Sequence, residues 1–276
     1  MSAPLLGYVD RPGVLHRLSG ISKLVLVIGA VVGAMIGFDV RYLLAVTALS
    51  VVAWALSRVR LRDLAVVLTL IGVFMVLNNL GIFLFAPGYG TQLFGTRHVL
   101  LDGPWRWDLT QEQLFYQAAV TLKYLAVLPP VLLFVTTTRP PEFASALARI
   151  GVPARIAYAV SLALRYVPDI QRDLRTVSQA QQARGIDTSR AVPLRTRLRN
   201  LSAVLMPLLL GTFDRIEEVS AAMELRGFGR ERGRTWFVRT PLRPADLLVI
   251  ALAVLLVVVP IVLLGVNGGR YWNPFG

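Results

Sequence analysis

Long runs of apolar residues recur along this chain, and they dominate its pattern. Three of them, residues 64–86, 114–135 and 247–266, are each about 20 residues long. An α-helix of that length crosses a hydrocarbon core about 30 Å thick. These three runs therefore predict transmembrane helices.

Two shorter apolar runs, residues 24–38 and 42–56, are separated by a polar break that contains Asp39 and Arg41. Each run is near the lower length limit for crossing a bilayer. They predict either two short spans or one hairpin that crosses incompletely. Counting both as spans gives five spans in the chain.

The segments between the runs differ in character. Residues 87–111 are rich in glycine and contain Trp105 and Trp107, which are residues typical of a membrane interface, so they predict an external loop. Residues 136–244 are polar and amphipathic. They predict one short helix near residues 138–153 and two long helices, which are described next.

The two long helices are expected over residues 154–184 and 194–226, with Pro168 and Pro207 as candidate kinks. The second helix carries a stripe of apolar residues at steps of three and four. The stripe consists of Leu198, Leu201, Leu205, Leu208, Thr212, Ile216, Val219 and Met223. The stripe predicts that one side of this helix packs along its whole length. It also predicts a second partner, which covers the apolar faces that the first contact leaves exposed.

Composition agrees with a membrane protein. Of 276 residues, 55% are hydrophobic and only 16% are charged, and the mean hydropathy is +0.61. A soluble domain has about a quarter of its residues charged. There is no cysteine, which excludes disulfides and thiol chemistry.

The net charge of +13 has two readings, nucleic-acid binding or an excess of basic residues in cytoplasmic loops. The second fits better, because residues 139–239 alone contain 17 arginines. With the N-terminus inside, the cytoplasmic side also receives Arg11, Arg17, Lys23, Arg58, Arg60 and Arg62, and the external loops keep only Arg41, Arg97 and Arg106, with Arg270 on the tail. Five spans, with the N-terminus inside and the C-terminus outside, satisfy this rule.

Two stretches at the ends of the long helices share the pattern V-S-x-A-x-x-x-R-G, at residues 177–185 and 219–227. A glycine just after a helix is a common stop signal, and a terminal arginine suits the negative end of the helix dipole. Capping alone explains one such ending. Two matched endings 42 residues apart predict docking to two similar acceptor sites.

The sequence contains no pattern typical of an enzyme site. The aspartates at 10, 39, 63, 102, 108 and 169 are isolated, and His16 and His98 lie far apart, which argues against a catalytic or metal site. No G-x-x-x-x-G-K loop appears, so the sequence carries no such phosphate-binding loop for ATP. Lys123 is the one charge inside a clear span, and we interpret it as a structural lysine partnered by Asn78 or Asn79.

Four segments resemble the transmembrane coupling (T) component of energy-coupling factor transporters, the vitamin and metal-ion ABC importers that include the cobalt-transport-type permeases. Residues 15–23 are similar to L-H-R-L-D-P-R-T-K, except at Ser19, Gly20 and Ile21. Residues 137–153 resemble T-T-x-P-x-E followed by L-x-x-L-G-x-P, and residues 164–185 resemble the first coupling helix with its A-R-G signature. Residues 223–228 resemble the second signature.

The resemblance implies an all-α membrane protein with about five transmembrane helices and long amphipathic cytoplasmic coupling helices. It implies that Ala183, Arg184 and Gly185 dock one ABC-type ATPase subunit and that Leu225, Arg226 and Gly227 dock another, identical or paralogous. Leu225 stands where the family more often has alanine. A membrane-embedded substrate-binding (S) component, which would select the vitamin or metal ion, is the third expected partner.

The expected protein is therefore a non-catalytic, multi-pass component of the cytoplasmic membrane that binds no cofactor, metal or nucleic acid, with ATP and Mg held by the partner ATPases. Its expected parts are transmembrane helices over 1–136, a cytoplasmic coupling region over 137–240, and a last span with its tail over 241–276. The alternatives are a permease subunit of a conventional ABC transporter, a self-sufficient channel or secondary transporter, and a membrane-embedded transferase.

Overall fold

The computed structural model describes residues 13, 15, 18–57, 59–101, 108–187, 192–228 and 241–275. Several residues interpreted above lie outside this set, namely Asp10, Arg11, His16, Arg17, Arg58, Asp102, Trp105, Arg106 and Trp107. Nearly all of the regular structure in the described residues is helical. The helices are α1 (Gly20–Ile36), α2 (Val40–Ser57), α3 (Ala65–Phe85), α4 (Tyr89–Phe94), α5 (Gln111–Thr137), α6 (Pro140–Arg149), α7 (Ala154–Ala183), α8 (Leu194–Leu225) and α9 (Pro244–Val266).

All five apolar runs form helices, which confirms an all-α membrane protein. Four of the described helices, α2, α3, α5 and α9, are long and apolar enough to cross a membrane, whereas α1 is apolar but only 17 residues long. The segment predicted as a plain external loop is more ordered than expected. It contains α4 and a small antiparallel sheet of β1 (Val99–Leu101) and β2 (Leu109–Thr110).

The chain divides into two compact units. The first comprises Met1–Glu142 and Thr240–Gly276 and holds the apolar helices, and the second is Phe143–Arg239. Helix α6 begins in the first unit and ends in the second, while α7 and α8 lie wholly in the second.

In the first unit, α1 packs closely against α9 because glycines of α1 face the backbone of α9. A Cβ atom added to Gly29 would lie 2.6 Å from the carbonyl oxygen of Ala253, and one added to Gly33 would collide with that of Leu256. Small residues allow helices to approach closely where lipid offers no hydrophobic drive for association. The Tyr42 hydroxyl, from α2, donates a 2.6 Å hydrogen bond to the same Leu256 oxygen.

Polar contacts join the helices at one end of this unit, where α1 and α9 begin and α5 ends. The buried carboxylate of Asp246 accepts hydrogen bonds from the Ser19 backbone N–H and the Ser22 hydroxyl, at 2.8 and 2.7 Å. The buried ammonium of Lys23 donates to the carbonyl oxygen of Thr137 at 2.8 Å. These contacts tie α1, α5 and α9 together without a direct salt bridge.

At the other end, the segment after α9 folds over the turn between α1 and α2. The Phe38 N–H donates to the Arg270 carbonyl oxygen at 2.8 Å, and the Phe38 ring stacks on Tyr271 with centroids 4.9 Å apart. The Arg270 guanidinium donates to the Met35 carbonyl oxygen, one of the orphan acceptors at the end of α1. Burial raises the pKa of Tyr271 to about 12, so its phenol stays neutral.

Candidate partner-docking site at the two helix tips

The long helices α7 and α8 end in the same backbone motif, and we call these endings the first tip (Ala183–Gly185) and the second tip (Leu225–Gly227). Both glycines are left-handed, with φ of +83° at Gly185 and +66° at Gly227. The preceding arginines have nearly equal dihedrals, φ −85° and ψ 6° at Arg184 and φ −84° and ψ 8° at Arg226.

The hydrogen bonds of the tips also match. The Ile186 N–H reaches the Gln181 oxygen at 3.0 Å, and the Gly185 N–H reaches the Gln182 oxygen at 2.9 Å. At the second tip, Phe228 and Gly227 make the equivalent bonds to Met223 and Glu224, both at 2.9 Å. This pair of bonds is the Schellman motif, so the predicted glycine stop is confirmed at both helices.

The residues of the tips project from the helix ends. Ala183, Arg184, Gly185 and Arg226 are all exposed, and Leu225 is 90% exposed at the end of α8. The repeated motif marks the arginine and the glycine of each tip, and the family resemblance adds Ala183 and Leu225.

The two tips lie far apart, because α7 and α8 run antiparallel. Asp173 on α7 accepts a 2.8 Å salt bridge from Arg215 on α8, and the Tyr158 ring packs on Phe228 with centroids 4.8 Å apart. The second tip therefore lies beside the start of α7, whereas the first tip is its end. At 1.5 Å per residue, the two are separated by about 40 Å along the helix axis.

The predicted apolar stripe of α8 packs over only part of its length, so the prediction of continuous packing was wrong. Leu208, Thr212, Val219 and Met223 are partly covered. Leu198, Leu201, Leu205 and Ile216 remain exposed. The reason is the alignment of the antiparallel helices α7 and α8. The contacts between Asp173 and Arg215 and between Tyr158 and Phe228 place α7 against the second half of α8.

A second exposed apolar surface belongs to α3. No residue of this helix is buried, and Val66, Leu70, Val73, Leu77 and Phe85 are among its exposed side chains. Its polar contact is with α5, where the side-chain amide of Asn79 donates to the Thr121 hydroxyl at 2.9 Å. Exposure to lipid explains such a helix, and so does a membrane-embedded partner.

The partner of Lys123 differs from the one that we predicted. Its ammonium lies 3.6 Å from the centroid of the Phe38 ring, a cation–π contact, rather than beside Asn78 or Asn79. The lysine side chain is long enough to reach the turn between α1 and α2, which spacing along the sequence does not reveal. Its role as a structural lysine remains our interpretation.

The buried polar residues that connect the helices of the first unit were not predicted from the sequence. Asp246 and Lys23 are buried with hydrogen-bond partners more than 100 residues away. One signal was available for Asp246, since a carboxylate in the first turn after Pro244 is typical of a helix start. Among the described residues, no group of three or more His, Asp or Glu side chains is placed to hold a metal ion.

These features define a class of protein: a polytopic helical membrane protein that carries a long amphipathic hairpin with two matched arginine tips. The chain belongs to the CbiQ family of cobalt transport proteins, whose family model matches residues 13–237.

Individual relatives agree with this family. The chain is 33% identical over 180 residues to the energy-coupling factor transporter transmembrane protein EcfT of Exiguobacterium sibiricum, which covers 60% of this chain and 68% of that protein. It is 26% identical over 266 residues to EcfT of Lactococcus lactis subsp. cremoris, covering 92% and 96% of the two chains. With EcfT of Bacillus selenitireducens it shares 29% identity over 236 residues, 83% of this chain and 84% of the relative.

Proposed function

We propose that this protein is the transmembrane coupling component of an energy-coupling factor importer that takes up a vitamin or a transition-metal ion. It links two ATPase subunits to a membrane-embedded S component and transmits ATP-driven movement between them. The observation that carries this proposal is the pair of tips, which share one backbone geometry and are separated by about 40 Å along α7. Two copies of one acceptor surface, on two ATPase subunits, would meet both tips.

Each tip suits an acidic or carbonyl acceptor. The guanidinium of arginine is planar, always charged and able to form two parallel charge-assisted hydrogen bonds. The left-handed glycine turns the backbone away directly after it, so that the arginine and the residue before it protrude. This supports docking of Ala183, Arg184 and Gly185 on one ATPase and of Leu225, Arg226 and Gly227 on the other.

The exposed apolar residues support an S component as the third partner. Helix α3 and the uncovered part of the α8 stripe each present apolar side chains that α7 and the other described helices do not cover. We propose that the S component packs on such surfaces and selects the transported compound. In this proposal the coupling region lies in the cytoplasm, which the arginine excess of residues 139–239 supports.

The rival functions have less support. A conventional ABC permease subunit has a single coupling loop and does not explain two matched tips. A membrane-embedded transferase needs paired carboxylates or a metal cluster at interface depth, and the described residues contain no metal-binding group of three. In our proposal the chain is not an enzyme, and ATP and Mg belong to the partner subunits.

Affinity purification of the tagged chain from mild detergent tests the proposal. We expect it to bring two ATPase subunits and one small hydrophobic protein, whose bound compound names the substrate. We also expect Arg184→Ala and Arg226→Ala each to cost about 2 to 5 kcal/mol of ATPase binding, because each leaves an acceptor unpaired at the contact. The exposed Arg175→Ala variant on α7 serves as the control. A chain that purifies alone and moves or modifies a substrate by itself would contradict the proposal.

A further inference from the structure

A cleft of about 430 Å³ opens between α7 and α8, beside the second tip. The residues that line it are Tyr158, Leu162, Arg165, Tyr166, Val219, Ala222, Met223, Arg226 and Phe228. The cleft is large enough to admit one or two side chains of a partner, since small-molecule pockets begin at about 300 Å³.

The charge of this cleft is unbalanced. Two guanidinium groups line it, Arg165 from α7 and Arg226 from the second tip, and the nine lining residues include no carboxylate. Within the described part of the chain, neither side chain has a hydrogen-bond or salt-bridge partner. Two like charges at one cleft repel each other unless an anion lies between them.

The two carboxylates in the middle of α7, Asp169 and Asp173, are already engaged with arginines. Arg215 binds Asp173 and lies over the Tyr166 ring, with 5.9 Å between the guanidinium carbon and the ring centroid. Asp169, one helical turn after Arg165, binds Arg172 at 3.2 Å in an exposed salt bridge and is not among the residues that line the cleft. Neither of these carboxylates lines the cleft, and neither forms a salt bridge with Arg165 or Arg226.

We propose that this cleft receives an acidic side chain of the ATPase that docks at the second tip, with its carboxylate held between Arg165 and Arg226. This inference rests on the proposed function and extends it to a residue outside the repeated motif. The aromatic rings of Tyr158, Tyr166 and Phe228 then contact an apolar residue next to that acidic one. A carboxylate fits because guanidinium groups bind its two oxygens in parallel.

The choice of a protein carboxylate follows from position. The cleft is continuous with the second tip, because Arg226 belongs to both. Arg165 lies 19 residues before Arg184, about 30 Å along α7, so it contributes only to the second tip. Arg165 is therefore a residue beside the second tip that the repeated motif does not include.

The test uses the ATPase subunits that copurify with the wild-type chain, each titrated separately onto the full chain in nanodiscs. We expect Arg165→Ala to raise the Kd of the ATPase at the second tip about tenfold or more, because a charge-assisted hydrogen bond is lost. Arg165→Lys keeps the charge and should recover part of the affinity. The matched control is Arg175→Ala, on the same helix but not lining the cleft.

A double-mutant cycle identifies the shared carboxylate. If Arg165 and Arg226 hold one group, the Arg165→Ala/Arg226→Ala double variant loses less affinity than the sum of the single losses. Additive losses, or an Arg165→Ala variant with wild-type affinity, would overturn the inference while leaving ATPase docking at the tips intact. A wild-type chain that binds no ATPase would instead overturn the proposed function.

A photo-crosslinking residue in place of Leu162 reports what occupies the cleft. We expect it to attach to the ATPase within the assembled complex. Attachment to phospholipid alone would assign the cleft to a lipid headgroup and overturn the inference.

Discussion

At the scale of single residues, backbone conformation decides the shape of each tip. Gly185 has φ of +83°, and an added Cβ would meet no atom within 4 Å, so space does not limit a substitution there. The left-handed conformation alone disfavours any other residue. The tip thus depends on glycine for a reason that the sequence motif already indicates.

The variant Gly185→Ala should lower the free energy of unfolding by about 1 kcal/mol, because alanine is strained at this φ. Gly211→Ala is the matched control, since Gly211 lies inside α8 with nothing within 4 Å. There alanine should stabilise by up to about 1 kcal/mol through its higher helix propensity. Thermal unfolding midpoints of the purified variants in detergent measure both. Shifts in the same direction would contradict the conformational explanation.

At the scale of elements, the turn between α1 and α2 shows how a polar residue holds apolar helices. Asp39 is buried there, and it accepts hydrogen bonds from the Arg41 side chain, at 2.8 and 3.1 Å, and from Asn267 at 2.8 Å. Burial acts to raise the pKa of Asp39, but these hydrogen bonds outweigh it and hold the pKa below the usual value. The charged carboxylate therefore stabilises the turn.

The stability of the protein should decline as the pH falls through the lowered pKa of Asp39. The sign follows from linkage: a carboxyl group whose pKa is lower in the folded state stabilises it above the unfolded pKa, and protonation removes that contribution. Asp39→Asn should be less stable at pH 7 and depend less on pH in the acid range.

Unfolding midpoints between pH 7 and pH 3 measure this dependence. Asp169→Asn serves as the control, because its salt bridge with Arg172 is exposed and contributes little. Equal pH dependence of wild type and Asp39→Asn would contradict the role of Asp39.

The sequence predicts the elements well but their contacts poorly. The five apolar runs and both long amphipathic helices form helices close to their predicted limits, because hydrophobic length and glycine stops act locally. The α8 stripe did not predict where packing ends. Periodicity identifies an apolar face, but the register of α7 against it depends on side chains distant in sequence.

At the scale of the whole molecule, the distribution of basic residues predicts the orientation in the membrane. The three arginines between α2 and α3 and those of residues 139–239 fall on one side of the predicted topology. The predicted topology places the start of α1, the end of α5 and the start of α9 on the same side of the membrane. The structure agrees, because hydrogen bonds join these three helix ends.

Single cysteines should therefore label from opposite sides of the membrane. The chain has no native cysteine, so Arg60→Cys and Leu100→Cys each provide one reactive thiol at an exposed position. In intact spheroplasts a membrane-impermeant maleimide should modify Leu100→Cys, in the external loop, and reach Arg60→Cys only after permeabilisation. The opposite labelling would overturn the proposed topology.

The sequence by itself determined the membrane class, the number of apolar helices and the two matched tips. These properties are local, because a helix long enough to span a bilayer and a glycine that ends it act through neighbouring residues. It likewise marked Arg184 and Arg226, since the same motif is written twice.

Only the tertiary structure decided which residues meet across long stretches of chain. It joined Asp246 to Ser19, placed Lys123 on Phe38, and brought Arg165 to the same cleft as Arg226. The antiparallel pairing of α7 and α8 also sets the distance between the tips. Such contacts depend on the packing of whole helices, and no local pattern in the sequence records the register in which two helices meet.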